Sequence, residues 1–289
     1  MNESQASVPL SVRLRFGHAA VQRLAEETGV ELLHIKGAAV HPSLRPGGYA
    51  GSDVDVMVRP EHVARFDAAL RAHGWRLYTT FASGSPFGHA QTYLHDAWGY
   101  IDIHRSFPGI RIPAGAAFDR LWRDHGSAEI AGVGCPVPSV PAQALLLILN
   151  AARSRAPMRH DLEVVWVTAD DERRAEITAL VDEFDAHLAF AASVGGLDRF
   201  QGERDYLLWK VVSSGGSRTE EWWARVLAAP TFGEALRVVA RAPFVNIDHL
   251  AARLGRRPTR IEILAEFFGR PARAIGEAWR GMQHRMARR

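Results

Sequence analysis

Gly51-Ser52-Asp53-Val54-Asp55-Val56-Met57-Val58 decides how this chain reads, because two carboxylates stand two residues apart in an otherwise apolar run. In a strand successive side chains point to opposite faces, so Asp53 and Asp55 share one face while Val54, Val56 and Val58 share the other. Carboxylates this close repel unless a cation lies between them. Hard oxygen ligands suit Mg²⁺ or Mn²⁺, which are usually held by one or two carboxylates together with substrate phosphates. The stretch therefore predicts a metal site that serves a phosphate-bearing substrate.

Upstream, residues 11–29 read as a helix with Ser11 as N-cap and Gly29 as its stop. Residues 31–35 read as a strand that runs into Lys36-Gly37. A turn there lets backbone amides approach phosphate oxygens, with Lys36 as a point charge and the following short helix adding its dipole. Downstream, Pro60 suits a helix first turn, Val63, Phe66 and Leu70 fall on one face, and Gly74 closes the segment. Three strand-like runs follow at 75–81, 91–95 and 100–104, the last two as a hairpin. The loop from Ser83 to His89 between the first two reads as an ordinary turn rather than a mobile contact for an acceptor.

The strand at 100–104 repeats the design of the first. Ile101 and Ile103 face one way, Asp102 and His104 the other. If the two strands are neighbours, Asp53, Asp55 and Asp102 converge on one patch, an arrangement suited to two-metal phosphoryl or nucleotidyl transfer. His104 is placed to contact an acceptor or to hydrogen-bond Asp102.

With these residues in view, the chain resembles the nucleotidyltransferase superfamily related to DNA polymerase β, over roughly residues 11 to 125. It is most similar to a bacterial group of uncharacterised nucleotidyltransferases. The residues that carry the likeness are Lys36-Gly37-Ala38-Ala39, then Asp53-Val54-Asp55-Val56-Met57-Val58-Arg59-Pro60-Glu61, Gly74, and Ile101-Asp102-Ile103-His104. The resemblance implies that Asp53 and Asp55 ligate Mg²⁺ (or Mn²⁺), that Asp102 completes the site and takes the acceptor's proton, and that Lys36, Gly37 and Ser52 bind the nucleoside triphosphate. Two positions depart from the group's pattern. Ala38 stands where Ser is frequent, with Ser52 as a partial substitute, and Tyr49 stands where an arginine is common, the nearest upstream one being Arg45.

The fold class expected is α/β (α+β): a small mixed β-sheet nucleotidyltransferase domain flanked by helices at 1–131, a hinge at 132–141, and an all-helical C-terminal domain at 142–289. A helix at 114–124 precedes the Gly/Pro-rich hinge, and stripes such as Tyr206/Trp209/Val212 and Ile275/Trp279/Met282/Met286 mark the helical half. Arg159-His160-Asp161 reads as a helix N-terminus, and Trp209, Trp222 and Trp223 as core. The tail from Arg280 to Arg289 reads as a solvated last helix rather than an RNA-binding arm.

Composition sets the outer limits. At 289 residues, 47% hydrophobic and 23% charged, the chain can bury a sizeable core. The residues before Phe16 lack the apolar run of a signal peptide, and the apolar stretch 144–149 is far short of the ~20 residues of a membrane span, so no membrane partner and a cytoplasmic location are expected. Cys135 stands alone, which excludes an internal disulfide. Net charge is +3, and only Lys36 and Lys210 are lysines, so the balance permits an anionic substrate without pointing to nucleic acid.

The function expected is metal-dependent transfer of NMP from an NTP to an unknown hydroxyl-bearing acceptor (small molecule, peptide or protein, or RNA end) with release of pyrophosphate. A degenerate nucleotide- or partner-binding protein of the same fold is the alternative. A glycosyltransferase using Asp-x-Asp ranks last, since the residues before Asp53 leave little room for the nucleotide-binding region that fold needs.

Overall fold

The computed structural model describes residues 8–45, 51–153, 159–241 and, beyond these, 250, 254, 256, 258–267 and 269. Helix α1 (Leu10–Thr28) starts behind Pro9 and stops where Gly29 turns left-handed (φ 62°). The stop is the one expected; the start falls just before Ser11, because Pro9 itself breaks the preceding chain.

Five strands build one mixed sheet. They are β1 (Leu32–His34), β2 (Val54–Val58), β3 (Arg76–Thr79), β4 (Ala90–His95) and β5 (Gly99–His104), in the spatial order β1-β2-β5-β4-β3. Only the β2–β5 pair is parallel, which the intervening α2 (Val63–Ala72), β3 and β4 make possible. A 3₁₀ turn over Pro60–His62 leads into α2, and Gly74 (φ 85°) ends it as expected. The β4–β5 hairpin also stands as expected.

The alternation read from the sequence is what the sheet buries. Val54, Val56, Val58, Ile101, Ile103 and Tyr93 pack with Leu14, Val21 and Leu24 of α1 and with Phe66 and Leu70 of α2. Each such side chain contributes roughly 1.5–3 kcal/mol on burial, so this face holds β2 and β5 in register and turns their polar side chains to the other face. Gly17 lets α1 come this close, since a Cβ there would sit 3.0 Å from Val54 Cγ2. Arg59 pairs with Glu31 and Asp119 and lies 4.7 Å over the Phe118 ring, which ties the end of β2 to α3 (Ala114–Arg123).

The segment expected to be a hinge is instead structured. β6 (Gly126–Ile130) and β7 (Val133–Val137) form a hairpin closed by Ala131 (φ 50°) and Gly132 (φ 76°). Val133, Cys135 and Val137 are buried, but Gly134 and Pro136 between them hide the period-two pattern. α4 (Val140–Ala151) follows directly, buried at every position from Ala142 to Asn150. Next come α5 (Arg159–Leu162), a π turn over Glu163–Val167, α6 (Asp171–Glu183) and α7 (His187–Val194). All belong to one compact unit, residues 1–196, and a second unit spans 197–289.

In the second unit α8 (Tyr206–Ser214), α9 (Arg218–Ala228) and α10 (Phe232–Arg241) are helical as expected, and Ser217 and Glu220 form a capping box on α9. Trp209 is core, Trp222 is half-buried under Arg225, and Trp223 is 60% exposed, contrary to the expectation that all three are core. The stripe from Ile275 to Met286, the tail 280–289 and Tyr49 lie outside the described residues. No described helix is long and apolar enough to cross a membrane.

Candidate active site

The parallel pairing of β2 and β5 sets Asp55 directly beside Asp102 and Met57 beside His104. One ligand atom from each of Asp55, Asp102 and His104 lies within 4.8 Å of the other two. Asp53, just ahead of β2, accepts a hydrogen bond from Ser52 Oγ (3.1 Å) and lies near enough for its charge to act on Asp102. The three carboxylates named from the sequence are thus brought together. A fourth group joins them, because His104 donates from Nε2 to Asp55 Oδ1 (2.8 Å) rather than to Asp102.

The electrostatics follow from burial and crowding. Burial and the neighbouring Asp55 and Asp53 charges push Asp102 up to about 7, although Thr92 Oγ1 donates to it (2.6 Å). Asp53 is also raised, by burial and by Asp55. Asp55 goes the other way. Burial opposes its charge, but the Lys36 ammonium at 2.5 Å and the His104 hydrogen bond outweigh that and hold it well below the usual carboxylate range. Burial lowers His104 to about 4, so its ring is neutral at pH 7, stacked on Phe107 (6.0 Å between ring centroids). With Nε2–H committed to Asp55, Nδ1 is a bare, buried nitrogen without a partner. The Asp55 and Asp102 carboxylates, with Asp53 near, fit a hard divalent cation, and the neutral imidazole holds Asp55 in place.

Lys36 and Gly37 meet this cluster from the end of β1. Lys36 is extended, Gly37 is left-handed (φ 64°), and a 3₁₀ turn covers Gly37–Ala39. Gly51 is also left-handed (φ 78°), and a Cβ there would lie 3.9 Å from Gly37 Cα, an ordinary contact distance, so its backbone turn rather than crowding calls for glycine. Lys36 is engaged with Asp55. Ala38 packs beside the apolar cluster of Ala19, Ala39, Ile130 and Cys135.

Several neighbours are absent from the sequence reading. A cavity of about 240 Å³ opens beside Asp102, lined by Lys36, Ser85, His89, Thr92, His104, Asn150 and Arg153 among others. Asn150 and Arg153 come from the end of α4, Ser85 and His89 from the loop read as an ordinary turn. The one available signal was a charge placed directly after a wholly apolar helix. A larger cleft of about 650 Å³ is lined by Pro60, Val63, Asp67, Arg71, Gln91 and Arg105 among others. Gln91 alternates with Thr92 along β4, so that cleft belongs to the sheet face opposite the carboxylates and holds none of them. The polar spot at 159–161 is a helix, as expected, and Asp161 is buried there as the bidentate partner of Arg45 (2.9 and 2.5 Å).

The family described as uncharacterised nucleotidyltransferase has a model that matches residues 8–188, more than half the chain. None of the curated proteins matches. Among solved structures, the lincosamide antibiotic adenylyltransferase LnuA with lincomycin bound aligns at 16% identity over 57% of this chain and 94% of that one, with a TM-score of 0.34. The antibiotic-resistance factor ANT(2'')-Ia aligns at 13% identity over 60% and 94%, with a TM-score of 0.42. An antigenic nucleotidyltransferase-like protein from Paracoccidioides brasiliensis aligns at 13% identity over 66% and 96%, with a TM-score of 0.35.

Proposed function

Because the chain belongs to the uncharacterised nucleotidyltransferase family, we propose that it transfers NMP from an NTP to a hydroxyl-bearing acceptor, with Asp53, Asp55 and Asp102 as the centre of the reaction. The observation that supports this most is the register of β2 against β5, which sets Asp55 beside Asp102, with the Asp53 charge acting on both. Carboxylates so placed would hold Mg²⁺ or Mn²⁺, an ion that offsets charge on the phosphates as the bond to the leaving group breaks. The acceptor oxygen forms a bond to the α-phosphorus, the bridging α–β P–O bond breaks, and pyrophosphate departs. The acceptor's proton passes to the Asp102 carboxylate, which stands beside Asp55 across the parallel strand pair. His104 holds Asp55 in place through Nε2, and Lys36 balances its charge. Gly37 and Ser52 line the approach to the phosphates. Positioning and charge stabilisation do most of such a reaction.

The direct test incubates the full chain with each NTP, Mg²⁺ and pooled hydroxyl acceptors and measures pyrophosphate. Release that vanishes in Asp55→Asn and in Asp102→Asn supports the assignment. Release that persists in both sinks it.

A further inference from the structure

We infer that Arg153 and Ser85 form the anion-gripping part of the cavity beside Asp102 and take the phosphates that are not transferred, which later leave as pyrophosphate. This deepens the nucleotidyl-transfer reading and rests on it.

Arg153 is a buried cation that the Asp55 and Asp102 charges favour from a distance. Among the described residues no carboxylate stands at ion-pair distance from it, although Asp102 lines the same cavity. Its Nε is shielded from water and has no partner. Nη2 donates one hydrogen to Asn150 Oδ1 (2.9 Å) and Nη1 one to His89 Nε2 (3.1 Å), which holds the guanidinium still and leaves each of the two a second N–H. Burial lowers its pKa to about 10, the mark of a positive charge that its surroundings under-compensate. A fork held on two sides, lining the cavity with N–H donors to spare, is suited to receive an oxyanion.

The same contacts orient Ser85. A guanidinium only donates, so His89 Nε2 accepts, and the neutral ring must carry its hydrogen on Nδ1. His89 is neutral at pH 7, because burial first, and the nearby His104 and Arg153 next, hold its pKa far below the ordinary value. Its Nδ1–H therefore donates to Ser85 Oγ (2.8 Å), and the Phe87 N–H donates to the same oxygen (3.1 Å). Both lone pairs of that hydroxyl are thus engaged, and its own hydrogen is left to point at something else. Ser85 lines the cavity. His89 acts as a positioning residue that aims both donors.

The Arg153 guanidinium and the Ser85 hydroxyl therefore both line one small cavity whose carboxylates would reach an anionic ligand through a divalent cation. An acceptor alcohol's oxygen can accept from such donors but carries no charge to match the guanidinium; a polyphosphate chain presents several anionic oxygens and matches both. At about 240 Å³ the cavity is below the ~300–1,000 Å³ of sites that enclose a whole small molecule, so it takes part of a nucleotide rather than all of it.

The test is calorimetric titration of the full chain with inorganic tripolyphosphate and Mg²⁺. Wild type is expected to bind. Arg153→Met should weaken binding about 10- to 100-fold, the effect of a lost charge-assisted hydrogen bond in a shielded site. Arg153→Lys should recover part of it, since a point charge remains without the fork. Ser85→Ala, a loop substitution that leaves the core intact, should weaken binding several-fold, with an unchanged melting temperature. Tripolyphosphate affinity that is equal in wild type, Arg153→Met and Ser85→Ala overturns the inference, as does a wild type that binds none. Failure of nucleotidyl transfer itself reads differently: NTP and acceptor would yield no pyrophosphate from a protein whose tripolyphosphate binding still depends on Arg153.

Discussion

His18 of α1 and His34 of β1 meet nitrogen to nitrogen, 2.7 Å between their Nδ1 atoms, with both rings buried. Their hydrogens can be assigned by following the chain of contacts outward. Gln22 Nε2 donates to Glu26 (3.0 Å), so its Oε1 faces His34 Nε2 (3.1 Å) and must accept from it. His34 Nδ1 then accepts, His18 Nδ1–H donates, and His18 Nε2 is left bare and unpartnered. Burial, the largest effect on each, lowers His18 to about 4 and holds His34 well below its ordinary value, so the fold contains both rings neutral. The unfolded chain binds protons near pH 6.5 and the folded chain only near 4 at His18. The stability this pair contributes is therefore complete above about pH 6.5 and is lost as pH falls from there toward 4, by on the order of 3 kcal/mol for His18. Denaturant midpoints measured across that range should show the fall. His18→Asn, which keeps a donor for His34 and cannot titrate, should flatten it; an identical pH profile in the variant would refute the assignment.

At the scale of elements, Arg45 joins the segment ahead of β2 to α5 through its bidentate pair with Asp161, and both side chains are buried. Removing one partner strands the other charge, which costs about 3–5 kcal/mol in comparable pairs. Asp161→Ala should therefore lower stability to urea steeply, and the joint change Arg45→Met with Asp161→Leu should restore most of it. A single variant as stable as wild type would contradict this. Neither residue's partner was legible in the sequence, since 116 positions separate them and no periodicity links them. What was legible came from local alternation: β2 and β5 each carry apolar residues on one face and acids on the other, so Asp53, Asp55 and Asp102 could be named before any contact was known. β6 and β7 escaped because Gly134 and Pro136 occupy the alternate positions where polar side chains would have shown the period. Arg153, just past the end of α4, has no motif or spacing that ties it to the carboxylates.

For the whole molecule, the loss of strand pattern after residue 141 suggested a domain boundary, yet helices beyond it pack against the sheet unit. His41 N–H donates to Gln143 Oε1 (2.8 Å), Arg111 N–H donates to the Phe184 carbonyl (3.1 Å), and a Cβ at Gly109 would lie 2.5 Å from Ala189 Cβ. Such long-range packing has no signature in local composition. A protein ending at residue 196 should melt cooperatively, whereas one ending at 141 should lack a cooperative transition, having lost the buried faces of α4, α6 and α7; calorimetry of the two decides, and a cooperative melt of the shorter one would place the boundary where composition changes. The central claim is that Asp55 and Asp102, set side by side by β2 and β5, hold a divalent ion for nucleotidyl transfer. Its most direct test is Mn²⁺ binding, followed by electron paramagnetic resonance in the presence of a non-hydrolysable NTP. The account predicts bound Mn²⁺ in the wild type and its loss in Asp55→Asn/Asp102→Asn. Equal Mn²⁺ binding by the two proteins would contradict it.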